Sequence, residues 1–143
     1  MTDAEGATRV LVVAHKTAAT EPLLEAVRAR AARGPATFTL LVPKAAHGLH
    51  KVVDPEDQSD EESQEVLDTA LPLLRRAAGS DVEGMIGTDH DPHMAIEDAV
   101  NLHGFDEIII STLPVRVSRW LKLDLPSKVT GLGLPVHTVT PRD

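Results

Sequence analysis

The reading turns on Asp106-Glu107-Ile108-Ile109-Ile110-Ser111-Thr112-Leu113-Pro114 and, beyond a short basic amphipathic stretch, Leu134-Pro135-Val136-His137-Thr138-Val139-Thr140. An apolar strand runs into a loop, a helix follows, and a second strand comes after it. In an open α/β sheet, ligands sit outside the carboxyl ends of such strands, and phosphate groups favour glycine-rich loops there. This loop has no glycine, so the fold is easier to read than the function.

Working outward, the same alternation recurs. Arg9 to Ala14 is a continuous apolar run suited to a strand buried on both faces. Thr20 reads as an N-cap with Glu21 and Pro22 in the first turn. Leu23, Leu24, Val27 and Ala31 then mark one helical face, and Gly34-Pro35 stops it. Thr37 to Val42 is the second strand, ended by Pro43. Residues 43–59 are long for a connection and are expected to be a mobile loop. A helix is expected from about Asp60 to Ala78, with Val66, Leu67, Ala70, Leu71, Leu74 and Ala77 inward and a kink at Pro72. Asp81 to Gly87 is a weaker third strand. Asp91-Pro92 opens a helix whose inner stripe is Ile96, Ala99, Val100 and His103, stopped by Gly104. Ile108 to Ile110 is the fourth strand. Residues 117–130 contain the last helix, with Val117, Trp120 and Leu121 at i, i+3, i+4 and Pro126 breaking it in two. Leu134 to Thr140 is the fifth strand. Strands alternating with helices imply an α/β, five-stranded parallel sheet with right-handed crossovers and helices on both faces. The 143 residues show no internal repeat and read as one domain, 1–143.

Composition narrows the function classes. Apolar residues make up 42% and aromatics only 2%, so Leu, Val, Ile and Ala must fill the core. With no cysteine there is no disulfide, thiolate zinc site or cysteine nucleophile, which fits a reducing cytoplasm. The acidic start differs from a signal peptide and no run approaches a membrane span, so a cytoplasmic protein without membrane contact is expected. A net charge of −8 argues against nucleic acid as a partner. The charge is uneven: Asp54 to Asp68 carries eight acids and no base, whereas Arg116 to Lys128 carries four bases and one acid, Asp124. The acidic run reads as a solvated loop and helix start.

Over nearly its whole length the chain resembles a universal stress protein domain. Three local matches carry the resemblance. The opening strand leads into His15-Lys16-Thr17. Gly87, Asp91-Pro92, Ile96 and Ala99 follow the family's G-D-P-x-x-x-I helix entry. Asp106 to Ile110, with Leu134-Pro135-Val136, follows its D-L-I-V-x-G and C-P-V-x-V-V strands. The resemblance implies an adenine-nucleotide alpha-hydrolase-like sheet of order 3-2-1-4-5. It also implies a homodimer through the last strand, where Val136, Thr138 and Val139 lie. ATP-binding members carry G-x2-G-x9-G-[ST] after the fourth strand. At that spacing stand Ser111, Pro114, Asp124 and Leu125, so none of the three glycines is present. Glycines let bare amides close on phosphate oxygens; Pro114 has no amide proton and Asp124 adds a carboxylate. Where the family places an Asp near the adenosine stands His15. Ordinary ATP binding is therefore disfavoured and no cofactor is expected.

The candidate cleft lining is His15, Lys16, Thr17, Ser111, Thr112, Arg116, Arg119 and Lys122. Three functions compete. The first is a non-enzymatic regulatory or interaction module acting on a protein partner or a small anionic ligand. The second is a nucleotide- or anion-binding regulator using Arg116, Arg119 and Lys122. The third is a small hydrolase using His15 with Ser111 or Thr112, although no G-x-S-x-G elbow is present. His47 and His50, like His90 and His93 flanked by Asp89 and Asp91, have spacing seen in zinc sites. In a chain with seven histidines such spacing arises by chance, so no metal is expected. An acidic pair, as in phospho-acceptor receivers, is missing after the first strand. Trp120 reads as core.

Overall fold

The computed structural model describes residues 7–15, 17–43, 60–87, 92–114, 118–122 and 124–141, without the side chains of residues 60–62, 119 and 122. The expected loop at 43–59 thus lies, past Pro43, outside the described residues. So do Lys16, His47, His50, Asp89, His90, Asp91, Arg116 and Val117.

The elements alternate as read: β1 (Thr8–Val13), α1 (Glu21–Ala32), β2 (Ala36–Val42), α2 (Asp60–Ala78), β3 (Val82–Ile86), α3 (Pro92–His103), β4 (Glu107–Ser111), α4 (Arg119–Lys122), α5 (Leu125–Thr130) and β5 (Val136–Val139). The five strands form one parallel sheet of order β3-β2-β1-β4-β5. Val13 stands beside Leu41 on one side and Ile110 on the other. The centre of the sheet is therefore buried on both faces, which is why these strands are runs of Val, Ile and Leu without polar alternation.

Residues alternate between the two faces. Val10, Val12, Phe38, Leu40, Val42 and Ile109 pack with Leu23, Leu24 and Val27 of α1 and Leu67, Ala70 and Leu74 of α2. Leu11, Val13, Leu41, Ile108 and Ile110 pack with Ala95, Ile96 and Ala99 of α3, with Trp120, and with Leu125 and Val129 of α5. Each face hides a layer of methyl groups, and burying one aliphatic side chain is worth about 1.5–3 kcal/mol. Trp120 is core, as read.

Several local expectations change. His103 is exposed, so the inner stripe of α3 is Ala95, Ile96 and Ala99 with Val100 at its margin. Arg9 explains the difference. Its guanidinium donates to the His103 carbonyl at 2.5 Å and lies 5.2 Å from the centroid of the Phe105 ring. The end of α3 is thereby held through its backbone, and the imidazole is left to solvent. Pro126 does not break the last helix. The interruption falls earlier, at Asp124, which takes φ 60°, and Pro126 sits in the first turn of α5, where a missing amide proton costs nothing. Thr20 is the N-cap of α1 by backbone, but its hydroxyl turns back to donate to the Thr17 carbonyl at 2.7 Å. Helix α2, by contrast, spans Asp60–Ala78 as expected, with Pro72 inside it.

Candidate functional site

Strand β1 is central, with β2 on one side and β4 on the other, so the connections diverge between β1 and β4. That divergence opens a crevice at the carboxyl ends of the strands. The chain places His15 and Thr17 just past β1, and Ser111 and Thr112 at the end of β4. Apolar strands end there on short polar residues, and all four side chains are buried.

Their polar atoms are engaged in bonds within the chain. The Thr17 and Ser111 hydroxyls share a hydrogen bond at 2.6 Å, linking the two strand ends across the crevice. The Thr112 hydroxyl lies 2.8 Å from that of Thr140 and donates to the Leu113 carbonyl at 2.9 Å, while the Thr112 amide donates to the Val139 carbonyl at 2.9 Å. His15 Nε2 lies 3.1 Å from the Ser63 hydroxyl in the first turns of α2. Its carbonyl accepts the amide of Ala18, and the Thr17 carbonyl accepts that of Thr20. These tight turns send the chain into α1. Buried polar groups are satisfied in this way because an unpaired one costs about 1–3 kcal/mol.

Past Ser111 the chain continues to Pro114, whose carbonyl accepts the Ser118 amide at 3.0 Å. The Ser118 hydroxyl in turn accepts the Leu121 amide at 3.2 Å, within the first turn of the short helix α4. Asp124, exposed, occupies a left-handed position between α4 and α5. Left-handed backbone favours glycine, so the turn has a geometry that glycine would suit while carrying a carboxylate.

Four proposed residues thus meet at the crevice: His15, Thr17, Ser111 and Thr112. Lys16 and Arg116 lie outside the described residues, as do the side chains of Arg119 and Lys122. Ser63 was missed by sequence reasoning, which paired His15 with Ser111 or Thr112. The hydroxyl on His15 Nε2 is that of Ser63, while Ser111 is bonded to Thr17. Nothing at Ser63 distinguishes it from the acidic run around it. Along β5, Val136 packs with the α3–α5 layer and Val139 with the α1–α2 layer, so the two valines face opposite sides of the sheet. Thr138, between them, stands beside Ile110 of β4. Among the described residues no three His, Asp or Glu side chains are grouped to hold a metal, and no helix is long and apolar enough to cross a membrane.

No family model matches the sequence, and no curated protein matches it. Solved structures do. A universal stress protein from Archaeoglobus fulgidus, in complex with dAMP, superposes with a TM-score of 0.61 at 16% identity, covering 93% of this chain and 97% of its own. A universal stress protein family member from Arabidopsis thaliana with AMP bound gives 0.63 at 17%, over 95% and 92%. One from Burkholderia pseudomallei gives 0.62 at 18%, over 92% and 95%. The chain has the universal stress protein fold. At these identities the likeness speaks for architecture alone. Two of these solved structures, from Archaeoglobus fulgidus and Arabidopsis thaliana, hold dAMP and AMP respectively.

Proposed function

We propose that this chain is a non-enzymatic, universal stress protein-like regulatory or interaction module whose crevice does not take ATP in the usual way. One observation carries the reading: at the end of β4 the hydroxyls are already spent on internal bonds, Ser111 on Thr17 and Thr112 on Thr140 and Leu113. Triphosphate recognition of the glycine-loop kind needs several backbone N–H groups converging on the oxygens. Here Pro114 has none to offer and the Thr112 amide is held by Val139. Asp124 adds a negative charge at the third glycine position. A ligand would have to break the hydroxyl pairs and then sit beside a carboxylate.

The module is proposed to be cytoplasmic and to work as a homodimer through β5. That strand is the outer edge of the sheet, paired on one side by β4, and unpaired strand edges invite a second strand. Its action would pass through a protein partner or a small anionic ligand.

A crystal of the protein soaked with Mg-ATP tests the proposal. The expected map shows no triphosphate against residues 111–118. A triphosphate there, gripped by main-chain nitrogens, would overturn it. Ester and phosphate-ester turnover should be absent. Turnover that disappears in His15→Ala or Ser63→Ala would establish a hydrolase instead.

A further inference from the structure

A second concavity lies at the opposite, amino edge of the strands. It is a cavity of about 270 Å³ between the last turns of α1 and the starts of β4 and β5. Ala26, Ala29, Ile109 and Pro135 line its apolar part, and Arg30, Arg33, Glu107 and His137 its polar part. The sequence pattern explains why it is open. Helix α1 leans on the sheet with Leu23, Leu24 and Val27, but its next inward positions are alanines and an arginine, too short or too polar to fill the space.

Arg30 is the unusual group. An arginine is almost never this buried without good reason: only 8% of it is exposed. Its Nε donates to Glu107 Oε1 at 2.8 Å, an ion pair between α1 and the first residue of β4. The terminal guanidinium N–H groups have no protein partner among the described residues, and Arg30 lines the cavity. Arg33, exposed and also lining the cavity, forms no ion pair among them either. Two cations and one carboxylate leave the cavity with surplus positive charge, and the surplus is a planar fork.

We infer that this cavity is a binding site for a small organic acid, with its carboxylate on the N–H groups of Arg30 and its apolar body against Ala26, Ala29, Ile109 and Pro135. Arg pairs with carboxylates through two parallel N–H···O bonds, and burial strengthens them. The volume is near the lower bound for small-molecule sites, about 300 Å³. A phosphate dianion fits worse. Its second negative charge would stand beside the Glu107 carboxylate, whereas a monoanionic carboxylate carries only one. The site is on a face of the sheet, whereas the proposed dimer uses the edge of β5, so the two are compatible.

The test is an amide-resolved NMR titration of the whole chain with phenylacetate and with hexanoate. Phenylacetamide and inorganic phosphate serve as controls. The carboxylates should produce saturable shifts confined to residues 26–33, 107–109 and 135–137. The amide and phosphate should produce none. Arg30→Gln should weaken carboxylate binding at least tenfold. Because Arg30 also holds Glu107, a second variant is needed. Ala26→Leu fills the cavity and leaves both charges in place; its own spectrum shows that it folds, and it too should lose the shifts. The inference is overturned if neither carboxylate gives saturable shifts, if the amide or phosphate matches them, or if Ala26→Leu binds as well as the parent. It is overturned equally if a second copy already covers these residues in solution.

Discussion

Asp124 is the one described non-glycine residue with a positive φ. Its φ of 60° and ψ of 38° are values that an L-residue adopts at a cost of about 1–2 kcal/mol, less for Asp and Asn than for others. Its side chain makes no capping bond to α5. Asp124→Gly should therefore leave thermal stability unchanged or raise it by up to about 1 kcal/mol, as read by calorimetric unfolding. A loss of that size would mean that the carboxylate has an undetected structural role. The Thr17–Ser111 pair makes a second residue-scale test. Thr17→Val leaves a buried hydroxyl unpaired and should cost about 1–3 kcal/mol. Adding Ser111→Ala should cost much less than the sum, a coupling of about 0.5–3 kcal/mol in a double-mutant cycle. Strict additivity would deny that the pair is a unit. The positions of His15 and Ser111 were legible in the sequence because each ends an apolar run. Ser63 was not, since its bond to His15 spans 48 residues and no local period marks it. Arg30 did carry a signal: it follows Leu23 and Val27 seven and three residues on, in the buried stripe of α1.

Helix α2 shows how closely an element can be fixed by what is absent. A Cβ at Gly84 in β3 would come within 2.7 Å of Leu67 Cδ2 and 3.0 Å of Leu71 Cδ1. The helix rests on bare backbone there. Gly84→Val should force those leucines from their rotamers and cost about 1–3 kcal/mol in denaturant unfolding; an unchanged midpoint would show that α2 can lift without loss. Pro72, exposed in the same helix, removes a backbone donor, so Pro72→Ala should stabilise the fold measurably. The long elements were legible from periodicity, α2 to the residue, because nineteen positions average out single exceptions. The segment after β4 was less so. In so short a stretch one backbone choice at Asp124 decides where a helix stops, and Pro126 reads equally as a breaker or as a first-turn residue.

At the scale of the molecule, the strand order came from resemblance and not from periodicity, which gives elements but not their neighbours. The sheet bears that order out. The oligomeric state belongs to this scale too. Light scattering at micromolar concentration should return twice the mass of the 143-residue chain, and a monomeric mass would remove the role assigned to β5. The proposal to be tested is that the crevice between β1 and β4 does not hold a triphosphate in the usual way. The most direct check is the heat of Mg-ATP binding to the parent and to a variant carrying Ser111→Gly, Pro114→Gly and Asp124→Gly together. The account predicts no saturable heat for the parent and measurable binding for the variant; micromolar affinity in the parent, unmoved by the three glycines, would contradict it.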